Sequence, residues 1–153
     1  MLAVEFFDVV VAVHVMSVVL AFGFVFAYPP MFAWARSQQP ALLAPMHAMQ
    51  ERLKRFLQDT FATLVGITGV YMAIDADLWD RIWVQVPIGL WLGTGVVALY
   101  SAPKEKRAAE LAAADHESAE YRTLAGRLQR VALINCLLVL VAIFFMVAKP
   151  GGY

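Results

Sequence analysis

The chain is poor in the residues that most small proteins use for covalent or catalytic chemistry. It holds one cysteine, Cys136, set inside an apolar run. A lone cysteine excludes an internal disulfide and any cysteine-based zinc cage, so Cys136 reads as a small apolar packing residue. Only 16% of residues are charged, and formal net charge is zero. There is no global electrostatic attraction for nucleic acid. No Gly-rich phosphate loop, His-Glu-x-x-His, Cys-x-x-Cys-His or nucleophile with an adjacent base can be found. No row of carboxylates lies inside an apolar run, as an ion pump would need, and no inverted internal repeat marks a complete secondary transporter.

What is abundant is apolar surface. The 153 residues are 61% hydrophobic, and mean hydropathy is +0.67. A soluble domain carries roughly 45–50%. One small aqueous core could not bury the excess, so a bilayer is the expected solvent. A helix needs about 20 mainly apolar residues to cross the hydrocarbon. Four stretches qualify, at about 9–28, 56–74, 82–101 and 131–148. Pro29-Pro30 is expected to stop the first. The strictly uncharged part of the second, 60–74, would cover only ~22 Å at ~1.5 Å per residue, so its helix must take in Asp59 near the membrane surface. Pro87 lies inside the third and should kink it and free a carbonyl. The acidic start, Met1 to Asp8, precedes a run with no small-residue cleavage site, so the first helix is read as retained. The expected fold is all-α: a four-helix transmembrane bundle in a single integral membrane domain, 1–153.

Loop charge sets the orientation. Arg36, Arg52, Lys54 and Arg55 precede the second span; Lys104, Lys106, Arg107, Arg122, Arg127 and Arg130 lie between the third and fourth. Ten of the twelve basic residues therefore fall on one side. By the positive-inside rule that side is the cytoplasm and both termini face out. Trp79 and Trp83 mark the outer edge, Tyr28 and Trp34 the inner one. The cytoplasmic loops should be helical extensions. After Pro45, Met46, Met49, Leu53, Phe56 and Leu57 form one face of a surface helix that feeds the second span. Residues 105–130 are good helix formers with a turn expected near Asp115-His116-Glu117-Ser118.

Few polar groups enter the spans, and each invites a functional reading. His14, well inside the first, is either a hydrogen-bonded structural residue or a ligand for heme iron or a metal. Met16, Met72 and Met146 read as filler. Arg55 and Asp59, four apart, should form an intrahelical pair. Gln85 is the strong polar group of the outer half of the third span, and Asn135 is placed to hydrogen-bond across the bundle. His47 and His116 are expected in solvent. Small residues let helices approach in lipid: Gly66 and Gly69 in the second span, Gly89 and Gly93 in the third. The expected partners are the lipid bilayer and, for a subunit of a complex, other membrane subunits or a second copy.

Three segments carry a family resemblance: Ala12-Val13-His14-Val15-Met16-Ser17-Val18-Val19, the basic stretch Met49-Gln50-Glu51-Arg52-Leu53-Lys54-Arg55-Phe56 before a Gly-containing helix, and the close Phe145-Met146-Val147-Ala148-Lys149-Pro150. The chain resembles a superfamily of small bacterial membrane proteins that includes copper-resistance D-type proteins, membrane protoporphyrinogen oxidases and an uncharacterised branch, and it is most similar to the last. The resemblance implies a multi-pass protein of the bacterial cytoplasmic (inner) membrane. The oxidase branch implies heme b with a helix-one histidine, matched by His14, and a lysine early in helix three, where this chain has Trp83-Val84-Gln85. The leading expectation is an accessory or scaffold subunit of a membrane complex without a catalytic site of its own. A heme b redox protein with His14 as axial ligand is the alternative, and a copper or small-ion transport component the second alternative.

Overall fold

The computed structural model describes residues 5–152. Helix α1 runs Phe6–Phe22, α2 Tyr28–Gln38, α3 Leu43–Leu53, α4 Asp59–Asp75, α5 Ile82–Asp115 and α6 Ala119–Ala148. Short 3-10 turns at Gly23–Phe26 and Pro40–Leu42 and a π turn at Lys54–Gln58 join the first four. Among the described residues there is no strand. The helices form four rods, Phe6–Gln38, Pro40–Asp75, Ile82–Asp115 and Ala119–Ala148, each long and apolar enough to cross a membrane. At ~1.5 Å per residue, α5 alone is about 51 Å long, against a hydrocarbon core of about 30 Å. The rods therefore overshoot the bilayer, and the overshoot lies at the end holding the basic loops, called the basic end below.

Pro29 and Pro30 do not end the first rod. They occupy the first turn of α2. A proline lacks only an N–H that the first turn leaves unpaired anyway, and its fixed φ suits a helix start. The pair therefore restarts the helix after the 3-10 turn. The turn between α5 and α6 lies where expected. Asp115 Oδ1 accepts from the Glu117 amide at 2.9 Å, and Ser118 Oγ caps α6 by accepting from the Tyr121 amide at 3.2 Å.

The rods pack mainly as two pairs, α1 on α4 and α5 on α6, joined at the basic end by α3 against α5 and α2 against α6. The outside is greasy: Leu99 and Val147 are each 79% exposed. The inside holds His14, Ser17, His47, Thr68, Thr94, Ser101 and Asn135, all buried. Lipid supplies no hydrophobic drive between helices, so polar side chains and small residues gather where helices meet. Gly66 shows the close approach. A Cβ there would stand 2.6 Å from Cζ2 of Trp91, whose Nε1 donates to the Ala62 carbonyl at 3.0 Å. Gly69 leaves room for the His14 ring, 3.3 Å from where its Cβ would be. The α5 glycines play no such part within the chain. A Cβ at Gly89 meets nothing within 4 Å, and one at Gly93 only the Leu138 Cδ1 at 4.0 Å.

The apolar face expected for the surface helix α3 is split. Leu43 and His47 are buried, while Met49 and Phe56 are 45% and 75% exposed. In water the apolar face would turn inward. Here Met46 and Leu53 pack against the buried cluster, Met49 and Phe56 turn outward, and His47, Gln50 and Lys54 face the slot.

A polar slot as candidate functional site

His14 sits on α1 opposite Thr68 of α4, with Nδ1 2.8 Å from Thr68 Oγ1. Thr68 donates its single proton to the Leu64 carbonyl at 2.6 Å. Toward His14 it can therefore only accept, so Nδ1 carries the imidazole proton. Nε2 is left as a bare lone pair, buried and without a hydrogen-bond partner. The donor chemistry suits a metal or heme iron, whose ligating histidines usually give their other N–H to an oxygen. The access does not suit a macrocycle, because Nε2 is fully enclosed between α1 and α4. Among the described residues no group of three or more His, Cys, Asp or Glu side chains converges as a metal site.

A second polar place lies between the helix pairs toward the basic end, and it was not expected. It is a slot with about 820 Å³ of open space, counting its mouth. The rod Pro40–Asp75 sends His47, Gln50, Lys54 and Gln58 into it, at spacings of three and four. The π turn begins at Lys54, and such turns are frequent at functional sites. From α2 come Tyr28, Phe32 and Arg36, one turn apart; from α5 Thr94, Ser101 and Glu105; from α6 Gln129 and Asn135.

Lys54 Nζ and Glu105 Oε2 pair at 2.8 Å with side chains only 16% and 25% exposed. Both also line a second, adjoining cleft between α3, the π turn and α5. The bridge therefore stands between the slot and that cleft. His47 is not in solvent as expected: its Nε2 lies 3.3 Å from the Tyr121 hydroxyl, and Phe32 packs on its ring at 4.6 Å between centroids. His47 precedes the spanning stretch of its rod. Burial pushes its pKa down to about 4, opposed by nearby Glu105 and reinforced by Arg36. The imidazole is thus neutral at neutral pH. Deeper in the slot, the Tyr28 hydroxyl and Asn135 Oδ1 are buried with no hydrogen-bond partner. Groups of that kind are costly to leave unpaired.

The other expected site residues fall outside the slot. Arg55 pairs with Glu51 at 2.7 Å on the exposed surface, not with Asp59. The π turn changes the angular step between positions 55 and 59, so a four-residue spacing no longer stacks them. Asp59 is exposed and lines only the second cleft. Gln85 Nε2 donates to the Trp79 carbonyl at 2.7 Å, which ties down the loop between α4 and α5. Asn135 faces the slot with its Oδ1 unpaired and makes no cross-bundle bond through that atom. Cys136 is buried, as expected of a packing residue. His116 is half-buried in the α5–α6 turn.

Along the chain, α3 reads as a surface helix, and its polar residues read as solvated. The signal that would have found the slot is the polar stripe 47, 50, 54, 58, which runs unbroken into a membrane span. Residues 8–150 match the model of a family described as predicted integral membrane protein (DUF2269). No curated protein and no solved structure matches the chain.

Proposed function

The chain belongs to the DUF2269 family of predicted integral membrane proteins, and from that premise we propose that it works by binding: a multi-pass accessory protein that holds a small amphiphilic molecule in the slot. The observation that carries the reading is the set of polar side chains that the four rods send into one slot, Arg36, His47, Gln50, Lys54, Glu105 and Gln129, above apolar walls. Ligand sites combine apolar walls with a few polar groups that fix orientation, as this lining does. Polar groups in a membrane interior are expensive and mark function. With the basic end in the cytoplasm of a bacterial cell, the slot would open toward the inner leaflet of its cytoplasmic membrane.

The test is extraction of protein purified in mild detergent, followed by mass spectrometry of what is released. A stoichiometric small amphiphile that Asn135→Leu loses supports the reading. Only bulk lipid, in equal amount from both proteins, refutes it. As an accessory subunit, the chain would meet other subunits or a second copy along the Gly89–Gly93 face of α5, which nothing among the described residues covers closely.

A second reading rests on the bare Nε2 of His14: a heme b-binding redox protein of the protoporphyrinogen-oxidase kind, in which heme binding parts α1 from α4. Absorption spectra before and after dithionite test it. A Soret band abolished by His14→Ala supports it, and a flat visible spectrum after expression with ample heme removes it. The copper or small-ion reading has no convergent donor set to draw on among the described residues.

A further inference from the structure

Charge in the slot is unbalanced by one. Lys54 is neutralised by Glu105 at 2.8 Å. Arg36, partly buried on α2, lines the same slot and makes no salt bridge among the described residues. One positive charge is therefore left at the basic end with no carboxylate against it. The far end is different in kind. Asn135 is 7% exposed and lines the slot there, its Oδ1 sealed in the wall without a partner. Between the two ends the walls are apolar, with Val97, Leu128 and Val131. From Glu105 to Thr94 the slot follows α5 for about 16 Å, at ~1.5 Å per residue.

Each class of occupant meets these features differently. A cation would face Arg36. A neutral molecule would leave Arg36 partly desolvated and uncompensated. A dianion would bring its second charge against Glu105. We infer that the slot takes an amphiphilic monoanion, an acid group on an elongated apolar body, with the acid on the Arg36 guanidinium and a hydroxyl or carbonyl at the other end against the Asn135 side chain. A guanidinium suits the role because its planar fork matches carboxylate and phosphate oxygens in pairs. The inference rests on the reading of the slot as a binding site. The acid is either that of a free amphiphile or the headgroup of an anionic membrane lipid.

The experiment uses the full chain in a neutral detergent and reads thermal stabilisation and native mass spectrometry as laurate, ω-hydroxylaurate, dodecanol or phosphatidylglycerol is added. Laurate should bind about tenfold tighter than dodecanol, the worth of one charge-assisted contact. Arg36→Gln should bring that ratio near one, and Arg36→Lys should keep part of it. ω-Hydroxylaurate should bind tighter than laurate by a margin that Asn135→Leu removes. If phosphatidylglycerol alone shows the Arg36 dependence, the acid is a lipid headgroup and the inference stands with that source. If dodecanol matches laurate, or Arg36→Gln leaves the ratio intact, the monoanion inference falls while the slot remains a binding site. If no probe binds, the binding reading falls with it. Circular dichroism checks the fold of each variant; should Arg36→Gln not fold, the acid-to-alcohol ratio in the unaltered chain and in Arg36→Lys still decides.

Discussion

Replacing Gly66 by alanine should destabilise the bundle, whereas the same change at Gly89 should not. At Gly66 the new Cβ would stand 2.6 Å from Trp91 Cζ2 and 2.8 Å from Cη2. Carbon atoms rest at about 3.5–4.0 Å, so the indole must retreat by about 1 Å. It cannot swing away freely, because Trp91 packs against the cluster of Ala21, Phe22 and Val139 and donates to the Ala62 carbonyl. Overpacking of this kind costs about 1–3 kcal/mol, and a lost interhelical hydrogen bond in a membrane about 0.6 kcal/mol more. Alanine in place of glycine returns up to about 1 kcal/mol of helix propensity. The net expected loss is about 0.6–2.6 kcal/mol. At Gly89 nothing lies within 4 Å of the added Cβ, so only the propensity gain remains and stability should hold or rise. Unfolding in mixed detergent, followed by circular dichroism and tryptophan fluorescence, gives both values. Adding Trp91→Leu to Gly66→Ala should recover much of the loss, because the clash is with the ring. A neutral Gly66→Ala beside a strongly destabilising Gly89→Ala would refute the packing scheme and place the close helix contact on α5.

Two further perturbations probe the slot. His47 has a folded-state pKa of about 4, below the unfolded value near 6.5. As the unfolded chain takes up the proton first, stability present above pH 6.5 is lost as pH falls toward 4, by up to about 3 kcal/mol. His47→Gln should flatten that part of the pH–stability curve, and an unchanged slope between pH 6.5 and 4.5 would contradict the buried neutral imidazole. Glu105→Gln removes the partner of Lys54, whose side chain is only 16% exposed. It should cost about 1–3 kcal/mol, less than the 3–5 kcal/mol typical of a fully buried pair, while the double change Lys54→Met with Glu105→Leu should cost less than Glu105→Gln alone. Equal losses in the single and double variants would show that the pair does not act as a unit.

The turn at Asp115 to Ser118 was readable, because it interrupts a long run of good helix formers. Pro29-Pro30 misled, because the same ring that ends one helix can open the next. His14 was visible as a lone imidazole in an apolar span. Its tautomer was not, because that depends on Thr68, fifty-four residues away. The Gly66 and Gly89 patterns look alike along the chain. Only the partner that approaches, Trp91 at one and nothing at the other, tells them apart.

By itself the amino-acid sequence determined that four long apolar helices would form and seek a bilayer, because hydropathy and helix propensity are properties of each segment alone. It also determined which loops are basic. Only the tertiary structure decided that α3 turns its polar stripe inward, that Lys54 meets Glu105 across fifty-one positions, and that Arg36, Tyr28 and Asn135 share one slot. Those outcomes depend on which faces meet when the rods pack. In lipid, that choice is governed by small residues and polar contacts between helices rather than by apolarity, which all four rods share.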